Sequence, residues 1–264
     1  MAGAAGAALM RRTAIVAFAM AAGAAMTMLA SAPAAAVDSP IAGADRLPAN
    51  EQPHPAGMAP DGRVWFVPMQ RKEIALTFDD GPYPFYTPLL LHQLESDGTH
   101  ATFFLVGRTM QEYPQLVERI VSSGDEIGNH TFNHFTLPGL SDDEIADQIT
   151  TCGSLIETYT GGTPTLFRPP HGHYDTRVVE IARKLGYRVI LWSDAPDDAK
   201  ADATEEPVPV IVERVIAHAK PGGIVLLHSG QYNTIVALPE IIADLRASGY
   251  TFVTVTQLLA DQDQ

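Results

Sequence analysis

Past Arg71 the chain alternates two kinds of hydrophobic pattern, short apolar runs rich in β-branched and aromatic residues and longer stretches whose apolar positions recur every three or four residues. That alternation is the signature of strands joined by helices. The short runs predict strands at Ile74–Phe78, Ala101–Val106, Glu126–Gly128, Thr165–Arg168, Tyr187–Trp192, Gly223–His228 and Thr251–Val253. The longer stretches predict helices at Thr87–Ser96, Thr109–Ser122, Ser141–Thr160, Asp175–Leu185, Val208–Ala219 and Ile235–Ala247, with a last one from Thr256. Gly98, Gly124, Gly186 and Gly249 fall just past four of these, where a helix stop favours positive φ. Ser141 followed by Glu144 reads as a capping box. Val64–Val67 is a short apolar segment, expected to be an edge strand closing one end of the domain.

This order of elements makes the fold class α/β. It fits an incomplete or distorted (β/α) barrel of about seven parallel strands, and it fits an open doubly wound sheet equally well. Either architecture puts a site at the C-terminal ends of the strands. Asp79, Asp80, His130, Arg168, Trp192 and His228 all fall there.

Before Arg71 the pattern changes. Residues 37–62 are rich in Pro, Ala and Gly and read as a flexible linker, because they cannot bury enough apolar surface to fold alone. Residues 1–36 have the parts of a signal peptide: Arg11 and Arg12, an uncharged run from Thr13 to Leu29, and the small residues Ser31 to Ala36. An uncut membrane anchor is the competing reading, but the run is short and mostly Ala, weakly hydrophobic for a stable span. The expected product is therefore secreted, into the extracellular or cell-wall space, with no membrane span after cleavage.

Roughly 220 residues then remain, enough for one domain with a single large core; the catalytic domain is placed at 63–264. The whole chain carries 17 basic and 31 acidic residues, a net charge of −14. Such an excess repels a phosphate backbone and removes nucleic acid from the partners expected. The single Cys152 permits no intramolecular disulfide and is assigned to the core. A monomer is expected.

The candidate chemistry starts where the run Ile74–Phe78 stops at Asp79 and Asp80, just before Gly81 and Pro82. Neighbouring side chains leave the end of a strand in different directions, so one carboxylate can hold a cation while the other faces a reacting water. An acidic turn closing a strand would look the same. His130 and His134 are four apart, which puts both imidazoles on one side of a helical turn, within reach of one ion. Taken alone, such a pair is more often two surface histidines. Asp80 as third ligand completes a two-histidine, one-carboxylate set with an open position, as a catalytic zinc requires. Mixed N and O donors also suit cobalt or nickel.

Together with Arg168-Pro169-Pro170-His171-Gly172 and Leu226-Leu227-His228, these segments resemble the polysaccharide deacetylases with a NodB-type domain, the carbohydrate esterase family 4 enzymes. Their motifs read TFDDGP, H-[ST]-x-x-H, R-x-P-Y-G, D-x-x-D-W and L-x-H, and the resemblance runs from about Arg71 to Leu259. It implies the barrel, with zinc or another divalent ion on Asp80, His130 and His134. It implies Asp79 as general base and Arg168 as the arginine that orients it, a guanidinium fork matching a carboxylate. The backbone N–H of His171, where the family more often has Tyr, is the implied donor to the oxyanion. Leu226 lines the pocket for the acetyl methyl, and His228 is the general acid.

The resemblance is weakest after Trp192. Ala195 stands where the motif has its first Asp and Ala199 where it has Trp, while Asp198 fits the second Asp. Asp198 is therefore the carboxylate expected to tune His228, with Asp194 or Asp197 as substitutes after a loop shift. The loop also carries Asp202, Glu205 and Glu206; bordering a cleft, it favours neutral or cationic glycans. Trp192 itself is read as core. The implied activity is hydrolysis of N-acetyl or O-acetyl groups of a glycan such as chitin oligomers, peptidoglycan or acetylxylan. The rivals are a glycan-binding module that keeps the ion without turnover, and a hydrolase of another small amide or imide on the same scaffold.

Overall fold

The computed structural model describes residues 56–193 and 206–261. The predicted signal peptide, most of the predicted linker, and the acidic loop bearing Asp194, Asp197, Asp198, Asp202 and Glu205 lie outside the described residues.

The strand everything else is laid against is β2 (Glu73–Asp79), buried over all but its first residue. Its sequence is nearly all apolar because a parallel sheet is covered on both faces. It pairs in parallel with β3 (Thr102–Leu105) on one side and β7 (Gly223–His228) on the other. From β3 the sheet continues through β4 (Glu126–Asn129), β5 (Leu166–Phe167) and β6 (Arg188–Ile190) to β1 (Arg63–Val64), every pairing parallel. These seven strands form the path β1-β6-β5-β4-β3-β2-β7. The short β8 (Thr251–Phe252) pairs only with Glu73 and Ile74 at the start of β2, off that path.

The path curls into a half-barrel. Just after β1, Phe66 makes an antiparallel bridge with Gly223, and just after β6 the Ser193 N–H donates to the Ile224 carbonyl at 2.9 Å. The ends of the path thus meet at β7, and of the segment Val64–Val67, expected to be an edge strand, only Val64 lies in β1 while Phe66 bridges to β7.

The helices cover the outside: α1 (Tyr86–Ser96), α2 (Gly107–Glu112), α3 (Pro114–Ser122), α4 (Asp142–Thr160), α5 (Thr176–Lys184), α6 (Val208–His218), α7 (Tyr232–Ala247) and α8 (Val255–Ala260). The single helix expected over Thr109–Ser122 is two, because Pro114 has no N–H to donate and disfavours helical backbone at Tyr113, which sits at φ −127°, ψ 59°. All four predicted stop glycines have positive φ, from 57° to 88°. The capping box is present, with the Ser141 N–H donating to the Glu144 carboxylate at 2.8 Å. One boundary differs from expectation. Residues 56–62, read as linker, fold back on the domain: Met58 bridges Val64, and Gly57 and Ala59 are buried.

The main core fills the space between β2, β3, β7 and the covering helices, with Phe78 stacked on Phe103 at 5.1 Å between centroids. Cys152 belongs to it; burial pushes its thiol up to about 12, so it stays protonated and inert. No helix among the described residues is long and apolar enough to cross a membrane.

Candidate functional site

Parallel register assembles the site. Pairing of β2 with β7 sets Thr77 beside Leu226 and Asp79 beside His228. Pairing of β4 with β5 sets Asn129 beside Phe167, so the next residues, His130 and Arg168, leave adjacent strands at one level. Residues scattered from 79 to 228 in sequence become neighbours without any one segment holding more than two or three of them.

Arg168 is fully buried. Its Nη1 donates to Asp79 Oδ1 at 2.7 Å and to Thr77 Oγ1 at 2.8 Å, while Nε and Nη2 donate to the carbonyls of Ile190 and Leu191. The guanidinium lies 4.1 Å over the Phe104 ring and 5.8 Å over that of Trp192. Lysine could not make this set, since only a planar fork reaches a carboxylate, a hydroxyl and two carbonyls at once. One oxygen of Asp79 is thereby fixed, and the other lies 3.7 Å from His130 Nε2.

Asp80, His130 and His134 form the cluster anticipated from spacing. Each offers one ligand atom, and the three atoms lie within 4.8 Å of one another. Asp80 Oδ1 is 3.4 Å from His130 Nε2 and 3.1 Å from His134 Nε2, yet it is buried and accepts no hydrogen bond. A buried carboxylate oxygen without a donor is costly, and a cation shared with two imidazoles removes the cost. His130 Nδ1 lies 2.8 Å from the Arg168 carbonyl, which can only accept, so the ring donates there and presents bare Nε2 to the cluster. The residues present fit a divalent ion. Burial raises the Asp80 carboxyl, but the two imidazoles and the charge of His228 outweigh it and hold the group well below the usual carboxylate range.

The histidines do not meet on a helical turn, as their spacing suggested. The loop from His130 to His134 is irregular, and Asp80, Thr131, His134 and His171 have φ of 74°, 66°, 59° and 58°. Among the described residues these are the non-glycine positions with positive φ, and all four belong to the site or join its ligands. Backbone strain concentrated this way marks functional geometry held by its surroundings. For Thr131 the restraint is visible. Its N–H donates to Asn129 Oδ1 at 2.9 Å, and its Oγ1 accepts from the His134 N–H at 3.0 Å. Asn129 is in turn held by donating Nδ2 to the Ile149 carbonyl at 2.8 Å and to Tyr187 Oη at 3.2 Å.

That restraint has a testable weak point on α4. A Cβ at Gly153 would lie 2.1 Å from Tyr187 Oη. Gly153→Ala is expected to drive Tyr187 off Asn129 and cost about 1–3 kcal/mol in a denaturant titration, the usual range for overpacking.

His171 occupies a tight turn over Pro170–Gly172, its ring 4.5 Å from that of His134. Gly172 is backed by Trp192, whose Cη2 would be 2.6 Å from a Cβ there. Trp192 is therefore more than core: it joins Leu226 and His228 in lining a narrow cleft over the cluster. Its position at a strand end was the available signal. The cleft opens into a wider mouth of about 210 Å³ walled by Tyr83, Gly230 and Gln231, residues that no motif singled out. Asp198, expected to tune His228, lies outside the described residues. Glu206, counted with the acidic loop, is paired with Arg214 at 3.2 Å, and Arg214 donates to the Leu226 carbonyl at 3.3 Å.

Comparison with known proteins agrees with this arrangement. A family model described as polysaccharide deacetylase matches residues 67–190. A peptidoglycan-N-acetylglucosamine deacetylase of Bacillus cereus is 41% identical over 206 residues, covering 76% of this chain and 95% of the relative. The chain belongs to the polysaccharide deacetylase family. Among solved structures, a peptidoglycan N-acetylglucosamine deacetylase in complex with 4-naphthalen-1-yl-N-oxidanyl-benzamide superposes with a TM-score of 0.70 at 31% identity, over 75% of this chain and 92% of that one. A family member from Bacillus anthracis, described as a pseudoenzyme, superposes with a TM-score of 0.69 at 31% identity, over 76% of this chain and 70% of its own. A deacetylase and a pseudoenzyme of the family thus share this backbone.

Proposed function

We propose that this polysaccharide deacetylase is an exported enzyme that hydrolyses N-acetyl groups of a cell-wall glycan, with Asp79 as base and His228 as acid. The observation that carries the reading is the Asp79–Arg168 pair, buried against a two-histidine, one-carboxylate cluster with His228 on the adjoining strand. Peptidoglycan N-acetylglucosamine is the first substrate to test, chitin oligomers and O-acetylated glycans the next. Export rests on the composition of residues 1–36.

Asp80, His130 and His134 would hold the divalent ion, zinc before cobalt or nickel. When bound, such an ion polarises a carbonyl oxygen and acidifies water. Asp79 takes a proton from the attacking water as its oxygen adds to the acetyl carbon. Arg168 fixes one carboxylate oxygen of Asp79, so the other faces the reacting atoms. The backbone N–H of His171 is the proposed donor to the oxyanion, and Leu226 borders the acetyl methyl. His228 gives a proton to the nitrogen as the carbon–nitrogen bond breaks, releasing acetate and the free amine.

Acetate release from peptidoglycan fragments and chitin oligomers, with and without chelator, tests this. Chelation is expected to abolish release and zinc to restore it. His134→Ala, which removes the more exposed imidazole, is expected to lower bound metal by at least about tenfold, measured by elemental analysis after dialysis. The superposition on a pseudoenzyme favours a second reading, a module that binds glycan and ion without turnover. Glycan binding with no acetate under zinc, cobalt or nickel would establish it.

A further inference from the structure

Two residues given roles in the reaction, Leu226 and His228, stand on β7, and the two edges of that strand are held differently. One edge pairs with β2 along its whole length. Among the described residues the other is met by backbone at its start: the Val67 N–H donates to the Gly222 carbonyl at 2.8 Å, Phe66 bridges Gly223, and the Ser193 N–H donates to the Ile224 carbonyl at 2.9 Å. Backbone polar groups alternate between the two edges of a strand, so the Leu226 carbonyl, two residues past Ile224, faces the same edge as Ile224. Among the described residues no strand pairs with β7 there. Arg214, on α6, is a donor in its place: Nη1 and Nη2 each reach the Leu226 carbonyl at 3.3 Å. Leu226 is buried, and a buried carbonyl needs a donor.

The guanidinium is itself braced. Its Nε and Nη2 donate to Glu206 Oε2 at 3.3 and 3.2 Å, and the Glu206 carbonyl accepts from Asn233 Nδ2, in the first turn of α7, at 2.9 Å. The Arg214–Glu206 pair therefore ties both ends of the segment 226–233, at Leu226 and at Asn233, and His228 lies between the ties. Leu226 and His228 are two apart on one strand, so their side chains leave the same face, and both line the cleft. A shift of the strand end moves both together. An ion pair whose side chains are 16% and 26% exposed adds little stability of its own. What it supplies is position. A general acid must stand within hydrogen-bond reach of the atom it protonates, and a misplacement of about 1 Å costs about 10²-fold in rate.

We propose that Arg214 is a positioning residue for the reaction: braced by Glu206, it stands in for a strand beside the end of β7 and thereby fixes Leu226 against the acyl group and His228 against the leaving nitrogen. This inference rests on the deacetylase reading and adds a residue that acts through β7.

The experiment measures amine release from N-acetyl and N-propionyl glucosamine hexamers by the full chain and by Arg214→Met, Arg214→Lys and Glu206→Gln, with a urea midpoint for each. Arg246→Met is the control, since Arg246 on α7 likewise donates to a carbonyl, that of Asp97, at the far end of the strands. Arg214→Met is expected to lower kcat for the acetyl hexamer about tenfold with KM within about twofold, the pattern of an interaction realised in the transition state. Its preference for acetyl over propionyl is expected to narrow several-fold as Leu226 loses its fixed place. Arg214→Lys keeps a donor without the planar fork, and Glu206→Gln keeps an acceptor without the charge, so both are expected to fall between Arg214→Met and wild type in each readout. Arg246→Met is expected to keep wild-type kcat and preference whatever its urea midpoint. Wild-type kcat and acyl preference in folded Arg214→Met, with the urea midpoint alone lowered, would make Arg214 a structural brace and overturn the proposal. If Arg214→Met does not fold, the other two variants decide, and wild-type kcat and preference in both would overturn it. No amine from the wild type on either hexamer or on peptidoglycan would overturn the deacetylase reading itself. Crystal structures of wild type and Arg214→Lys then judge the positioning alone: a shifted Leu226 carbonyl and His228 ring support it, and an unmoved pair overturns it.

Discussion

Asp79→Asn is expected to lower acetate release by at least about 10²-fold, the usual worth of a general base, with bound metal unchanged. The geometry separates the two functions. Asp79 is held by Arg168 at 2.7 Å, whereas the ion-sized cluster is made of Asp80, His130 and His134. An amide at position 79 keeps the shape and one acceptor for Arg168 but cannot take a proton from water. Kinetics and elemental analysis on the same preparation check both halves. Activity within a few-fold of wild type would remove Asp79 from its role, and loss of the ion with the activity would mean that position 79 is a ligand.

The second large effect is on stability. Arg168→Met is expected to cost about 3–5 kcal/mol in urea unfolding of the metal-free protein, because it leaves the buried Asp79 carboxylate without its guanidinium partner. The carbonyls of Ile190 and Leu191 lose their donors as well. Adding Asp79→Asn to Arg168→Met removes the stranded charge, so the double variant should recover part of the loss while remaining inactive. A single variant costing under about 1 kcal/mol would show that water reaches the pair and that burial does not govern it.

Much of this was legible beforehand, for physical reasons that can be named. The β-rich runs, the stop glycines and the Ser141 capping box are local signals, and local signals survive in a sequence. The site residues were legible because polar groups ending apolar strands are conspicuous, and the family resemblance gave them roles. What escaped depends on tertiary contact. Asn129 reads as an ordinary strand end until its side chain is seen bridging Thr131, Ile149 and Tyr187. Trp192 looks like core because one flank of its ring is buried, and only the turn at Gly172 shows that another flank faces the cleft. The four-residue spacing of His130 and His134 suggested the right partners through the wrong geometry, since period alone cannot report left-handed backbone at Thr131 and His134. Pro114, by contrast, was a readable break inside a stretch taken as one helix.

The left-handed loop has a consequence for how the protein is made. Its shape is set by hydrogen bonds from Asn129, Tyr187 and the body of α4, none of which involves an ion. Small zinc domains differ, staying unfolded until the metal arrives. Here the loop is shaped by the protein's own hydrogen bonds, so the nascent chain needs no cation to set it.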